Sequence, residues 1–116
     1  MHDYKQLALW KKSMVLVNDI YNILNYFPDF EKFALSNQIR RSVISIPSNI
    51  AEGAGRLSNN EFKLFLGYAN GSCYELDTQL LIAFNQKYLS EETFMQLEEK
   101  VKDIQKMNYK LIKSIQ

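Results

Sequence analysis

Three arginines, Arg40, Arg41 and Arg56, are all the chain has, and they fall within one stretch of nineteen residues, Gln38 to Arg56. A guanidinium is a planar fork of donors that fits a phosphate. Only Glu52 opposes the three within that stretch, which leaves a local positive charge in a chain whose net charge is +1. Gln38, Arg41, Ser45, Asn49, Glu52 and Arg56 recur three or four residues apart, so a helix would place them on one face. Farther along, Ser72, Glu75 and Gln79 repeat the spacing on what reads as the next helix. Two chemistries fit. In the first, these residues form a polar layer between two helices, with Arg40 or Arg41 paired to Glu75 or Glu52. In the second, Arg40, Arg41 and Arg56 form a nucleic-acid-binding surface, weak in one copy and stronger if repeated around an oligomer.

Other chemistries lack their residues. The one histidine is His2, at the terminus. A di-iron bundle needs inward Glu-x-x-His pairs, and a serine or cysteine nucleophile needs a histidine base. Cys73 falls on an apolar stripe and reads as a core residue. The sequence therefore predicts no enzyme, no metal and no cofactor. Gly53 and Gly55 close the arginine-bearing segment, and with no Lys-Ser or Lys-Thr after them they read as a helix end, not a phosphate loop. Gly67 and Gly71, four apart inside a helical pattern, read as a place where another helix approaches closely, within or between subunits.

Four helices must position these groups. The first runs from about Tyr4 to Phe27, with Leu7, Trp10, Met14, Val17, Tyr21 and Leu24 in a heptad stripe. A second stripe holds Leu9, Leu16, Ile20, Ile23 and Phe27, and the two together cover about half the circumference. One bundle core needs less, so Tyr4, Leu9, Leu16, Ile20 and Ile23 are expected to lie exposed and to form an oligomer interface, together with Gly67 and Gly71. Pro28 breaks the pattern. The second helix runs from about Glu31 to Leu57, with Leu35, Ile39, Val43, Ile46, Ile50 and Ala54 inward and a kink expected at Pro47. Ser58-Asn59-Asn60-Glu61 reads as a capping box. The third helix carries Phe62, Leu66, Ala69, Cys73, Leu76, Leu80 and Ala83 inward. Ser90 caps the fourth, whose stripe is Phe94, Leu97, Val101, Ile104, Leu111 and Ile115. Its acids come early and its lysines late, which suits the helix dipole without a ligand. No segment alternates with period two for long. The fold predicted is all-α: residues 1–116 as one antiparallel, up-down four-helix bundle.

Composition agrees with that reading. At 116 residues the chain makes one domain, and 47% hydrophobic with 23% charged residues is ordinary for a soluble protein. The absence of a signal-like start, of a long apolar run and of any second cysteine points to a cytoplasmic protein without disulfides.

Specific strings carry a resemblance. They are Leu9-Trp10-Lys11-Lys12-Ser13, Phe33-Ala34-Leu35, Gln38-Ile39-Arg40-Arg41-Ser42 and Ser45 through Arg56. The third helix adds Glu61-Phe62, Phe65-Leu66, Gly71-Ser72 and Glu75 through Leu80. With these the whole chain resembles the four-helix-bundle family of 23S rRNA intervening-sequence proteins. The resemblance implies a left-handed bundle, a ring-like homopentamer and an association with RNA or a ribonucleoprotein partner. Members are often encoded within inserts of ribosomal RNA genes, and related basic bundles serve reverse transcriptases as accessory subunits. A protein-binding scaffold without nucleic-acid contact is the alternative role.

Overall fold

The computed structural model describes residues 3–116. Four helices account for most of them: α1 Ala8–Leu24, α2 Leu35–Ala54, α3 Asn59–Asn85 and α4 Glu91–Ser114. No strand occurs among the described residues. Each helix packs on its neighbours in the chain and α1 closes the ring against α4, with no diagonal packing. The cross-helix pairs run in opposite directions. Ser42 meets Glu75 and Ser45 meets Ser72 between α2 and α3. At one end of the bundle the α1–α2 turn touches the α3–α4 turn, where the Tyr88 hydroxyl donates to Glu31 Oε2 at 2.9 Å. Consecutive helices are therefore antiparallel, in the up-down order that short turns dictate.

The helix ends differ from the sequence expectation where local hydrogen bonding intervenes. Tyr4–Gln6 is a separate 3-10 turn, capped when Asp3 accepts from the Lys5 amide, and extended Leu7 divides it from α1. After Pro28 a second 3-10 turn covers Asp29–Glu31, and Ala34 (φ −120°, ψ −106°) delays α2 until Leu35. Glu31 then serves the new helix from outside it, accepting from the Leu35 amide at 3.3 Å. Pro47 does not end α2, which continues through it to Ala54. Ser58 accepts from the Glu61 amide at 3.1 Å and donates to the Glu61 carboxylate at 3.3 Å. Ser90 caps α4 by accepting from the Thr93 amide. Between α3 and α4, Lys87 takes the left-handed conformation at φ 68°. There the amides of Tyr88 and Lys87 reach back to Ala83 and Phe84, the paired bonds of a Schellman stop.

The inward lines of α2 and α3 are buried as the spacing predicts. The line on α1 is corrected. Leu9, Leu16 and Ile20, expected to lie outside as an interface, are buried in the protomer's own core, and Ile23 packs against it. Met14 and Tyr21 of the other stripe are the exposed ones. The physical reason is Ser13, which is fully buried between Leu9 and Leu16. Its hydroxyl donates to the Trp10 carbonyl at 2.7 Å, so a polar residue sits in the core line at no cost of an unmade bond. Asn108 interrupts the α4 line as well, but only its amide nitrogen is bonded, to the Leu66 carbonyl.

Candidate nucleic-acid interface

The polar ladder predicted between α2 and α3 exists in part. Ser45 and Ser72 share a hydrogen bond between hydroxyls 2.6 Å apart. Asn49 donates to the Ser45 carbonyl at 2.8 Å. Glu75 is in the seam too, but its partner is the buried Ser42, whose hydroxyl donates to Oε1 at 2.7 Å. Ser42 was missed because it stands between the apolar and polar faces, and its signal in the sequence is only its place three residues before Ser45. Gln38 is exposed and stands outside the seam. Gln79 is buried, but its Oε1 has no partner.

The arginines divide. Arg56 is engaged: it pairs with Glu52 at 2.8 Å and Glu61 at 3.9 Å, and its guanidinium lies 4.7 Å from the centre of the Phe65 ring. These are surface pairs, so they fix the side chain more than they stabilise the fold. Arg40 reaches only the Lys32 carbonyl, at 3.2 Å. Arg41 is exposed and forms no ion pair among the described residues. The expected pairing of Arg40 or Arg41 with Glu75 or Glu52 is thus corrected. The serine fills the seam position opposite Glu75, and Glu52 takes its helical neighbour four residues on. Two guanidinium groups on the N-terminal half of α2 stay available to an anion.

The close approach expected at Gly67 and Gly71 occurs instead at Gly53. A Cβ on Gly53 would lie 2.6 Å from the Phe65 Cβ, so this buried residue in the last turn of α2 is what lets α2 and α3 approach. Gly55 caps the helix. A side chain at Gly67 or Gly71 would meet nothing within 4 Å in the protomer. Cys73 is buried, and desolvation pushes its thiol up to about 12, which leaves it without thiolate chemistry. His2 lies outside the described residues, and among those described no three metal-ligating side chains gather.

Residues 5–110 match the model of a family described as 23S rRNA-intervening sequence protein. Among curated proteins nothing matches. A crystal structure from Bacteroides thetaiotaomicron VPI-5482, described as a protein of unknown function from the S23 ribosomal protein family, is similar at a TM-score of 0.85 and 26% identity. The match covers 92% of this chain and all of that one.

Proposed function

The chain belongs to the 23S rRNA-intervening sequence protein family, and from that premise we propose a non-enzymatic, homopentameric bundle that contacts RNA or a ribonucleoprotein partner through Arg40 and Arg41. The observation that carries this reading is that neither arginine has a carboxylate partner among the described residues, whereas Arg56 has two. Arg56 is accordingly removed from the phosphate-contacting set. In a ring the pair is repeated by every subunit, which turns a weak contact into a useful one. Self-association moves from α1 to the outer face of α3. Leu64, Gly67, Gly71, Thr78 and Ile82 recur at helical spacing there, with the glycines open and Leu64 and Ile82 exposed. A cytoplasmic location is part of the proposal, consistent with a chain that holds a single cysteine. No helix among the described residues is long and apolar enough to cross a membrane.

A filter-binding titration of single-stranded RNA tests the nucleic-acid contact. Retention at low salt should fall steeply as salt rises, and Arg40→Ala with Arg41→Ala should shallow that slope. No retention at low salt, or equal retention by the double variant, ends the reading. One observation favours the scaffold alternative. Tyr26, Phe30 and Phe33 stand exposed around the α1–α2 turn, the last at 87%. A protein partner seated there would be captured after nuclease treatment and lost on Phe33→Ser.

A further inference from the structure

A groove of about 380 Å3 opens between α3 and the C-terminal half of α4, a size that falls within the ~300–1,000 Å3 of small-ligand sites. Its lining combines three chemistries. Tyr74 on α3 and Tyr109 on α4 present rings that are 63% and 61% exposed. Lys106 and Lys110, one turn apart on α4, supply positive charge with no acidic residue in the lining, and neither forms an ion pair among the described residues.

The third chemistry is carboxamide. Gln105 donates to Asn70 Oδ1 across the groove at 3.4 Å, a long bond that leaves the Asn70 amide protons and the Gln105 carbonyl unengaged. Asn108 also lines the groove and is only 2% exposed. Its Nδ2 donates to the Leu66 carbonyl at 2.8 Å, which fixes the orientation of the amide, and its Oδ1 is left with no donor. A buried acceptor without a partner is costly and calls for an explanation.

We infer that this groove is a nucleotide site: a base stacks on Tyr74 or Tyr109, its polar edge meets the carboxamides of Asn70, Gln105 and Asn108, and its phosphate lies against Lys106 and Lys110. The combination selects the ligand. A bare phosphate has no use for two exposed rings and three amides. An apolar molecule leaves the lysines and the Asn108 oxygen unanswered. A nucleotide is flat and aromatic, carries donors and acceptors on its edge, and is anionic at one end. Stacking is tolerant of base identity, and carboxamides pair with base edges. The site lies on different helices from Arg40 and Arg41, so the two readings fail separately.

Titration calorimetry with AMP, adenosine and a short oligoadenylate tests the site. AMP should bind saturably at millimolar concentration or below, and adenosine about tenfold more weakly, because it lacks the phosphate. Of Tyr74→Ala and Tyr109→Ala, both exposed changes, the one that removes the stacking ring should weaken AMP by about tenfold while far-ultraviolet circular dichroism stays native. Asn108→Leu keeps the branched shape without the polar atoms and should weaken AMP as well. Oligoadenylate binding tighter than AMP identifies an unpaired residue of RNA as the source, and equal binding identifies the free nucleotide. AMP binding that survives Arg40→Ala with Arg41→Ala, when RNA retention does not, separates this site from the arginine surface. Absence of saturable binding by AMP and oligoadenylate overturns the inference. So does AMP affinity that is unchanged in the tyrosine variants, or a tyrosine variant that dissociates an oligomer without any nucleotide having bound.

Discussion

The two faces of α3 are built on opposite plans. Toward α2 it is closed by small residues: Gly53 brings the backbones together against Phe65 and Phe62, and Ser45 and Ser72 fit hydroxyl to hydroxyl. Toward α4 it is held apart by long polar residues. Asn70 and Gln105 meet at a long 3.4 Å, the Asn108 Oδ1 is buried without a partner, and the Asp77 carboxyl lies against the like-charged Glu98. One seam is tightly packed and pairs Ser42 with Glu75 and Ser45 with Ser72, leaving over Gln79 Oε1, and it admits nothing. The other is more loosely bonded and encloses a groove. Tight packing marks a structural interface, so the seam that leaves space is where a function has room.

The largest test of that contrast is Gly53→Ala. The added methyl collides with the Phe65 Cβ and the Phe62 ring, and urea unfolding should show a loss of about 2–3 kcal/mol. A neutral result would mean that α2 and α3 separate easily, and the contrast between the two faces would be gone. Next in size is the serine pair. Ser45→Ala and Ser72→Ala in a double-mutant cycle should couple by about 1 kcal/mol, the worth of one hydrogen bond. Additive losses would show that the 2.6 Å contact contributes nothing. The same glycine-to-alanine change made on the outer face of α3 should reverse its sign. Gly67→Ala or Gly71→Ala meets empty space and should stabilise the protomer by about 0.7 kcal/mol. If it weakens self-association in sedimentation instead, α3's outer face is the subunit contact.

Much of this was legible before the structure. The inward lines of α2 and α3 are apolar at every step, so spacing alone found them, and the caps at Ser58 and Ser90 followed from residue type. The face of α1 was misread because Ser13 interrupts its core line and satisfies its hydroxyl locally, which no pattern of apolar residues reveals. The seam was found by its serines, but its arginine pairing was not. Arg41 and Glu52 share a face of one helix but lie about 16 Å apart along its axis, too far to pair, whereas Arg56 is one turn from Glu52. Glycine pairs misled in a related way: four-residue spacing says that two glycines share a face and not what that face meets. The groove had no signature, because its residues come from two helices and none is unusual where it stands.

The smallest effect asked of the contrast is a pH dependence on the open side. Asp77 of α3 meets Glu98 of α4, and its carboxyl titrates above the ordinary 3.8. Desolvation is the main cause, with the Glu98 charge and a hydrogen bond to Glu98 adding to it, and nearby Lys102 opposing. Lys102 also holds Glu98, at 3.6 Å. A raised carboxyl means that the folded chain keeps this proton longer than the unfolded chain does. Below the unfolded value both states are protonated and the group is neutral in its effect. Above it the unfolded chain releases the proton first, so stability falls as pH rises through the folded value, and acidification restores it. Urea midpoints taken from about pH 4 to about pH 8 should therefore carry a declining contribution that Asp77→Asn removes, with the variant gaining most at the alkaline end. The closed side has no such pair, since Glu75 faces a serine hydroxyl. Glu75→Gln should therefore leave the declining contribution in place, and a variant Asp77→Asn whose midpoints follow the parent curve would show that the α3–α4 carboxyls do not oppose folding.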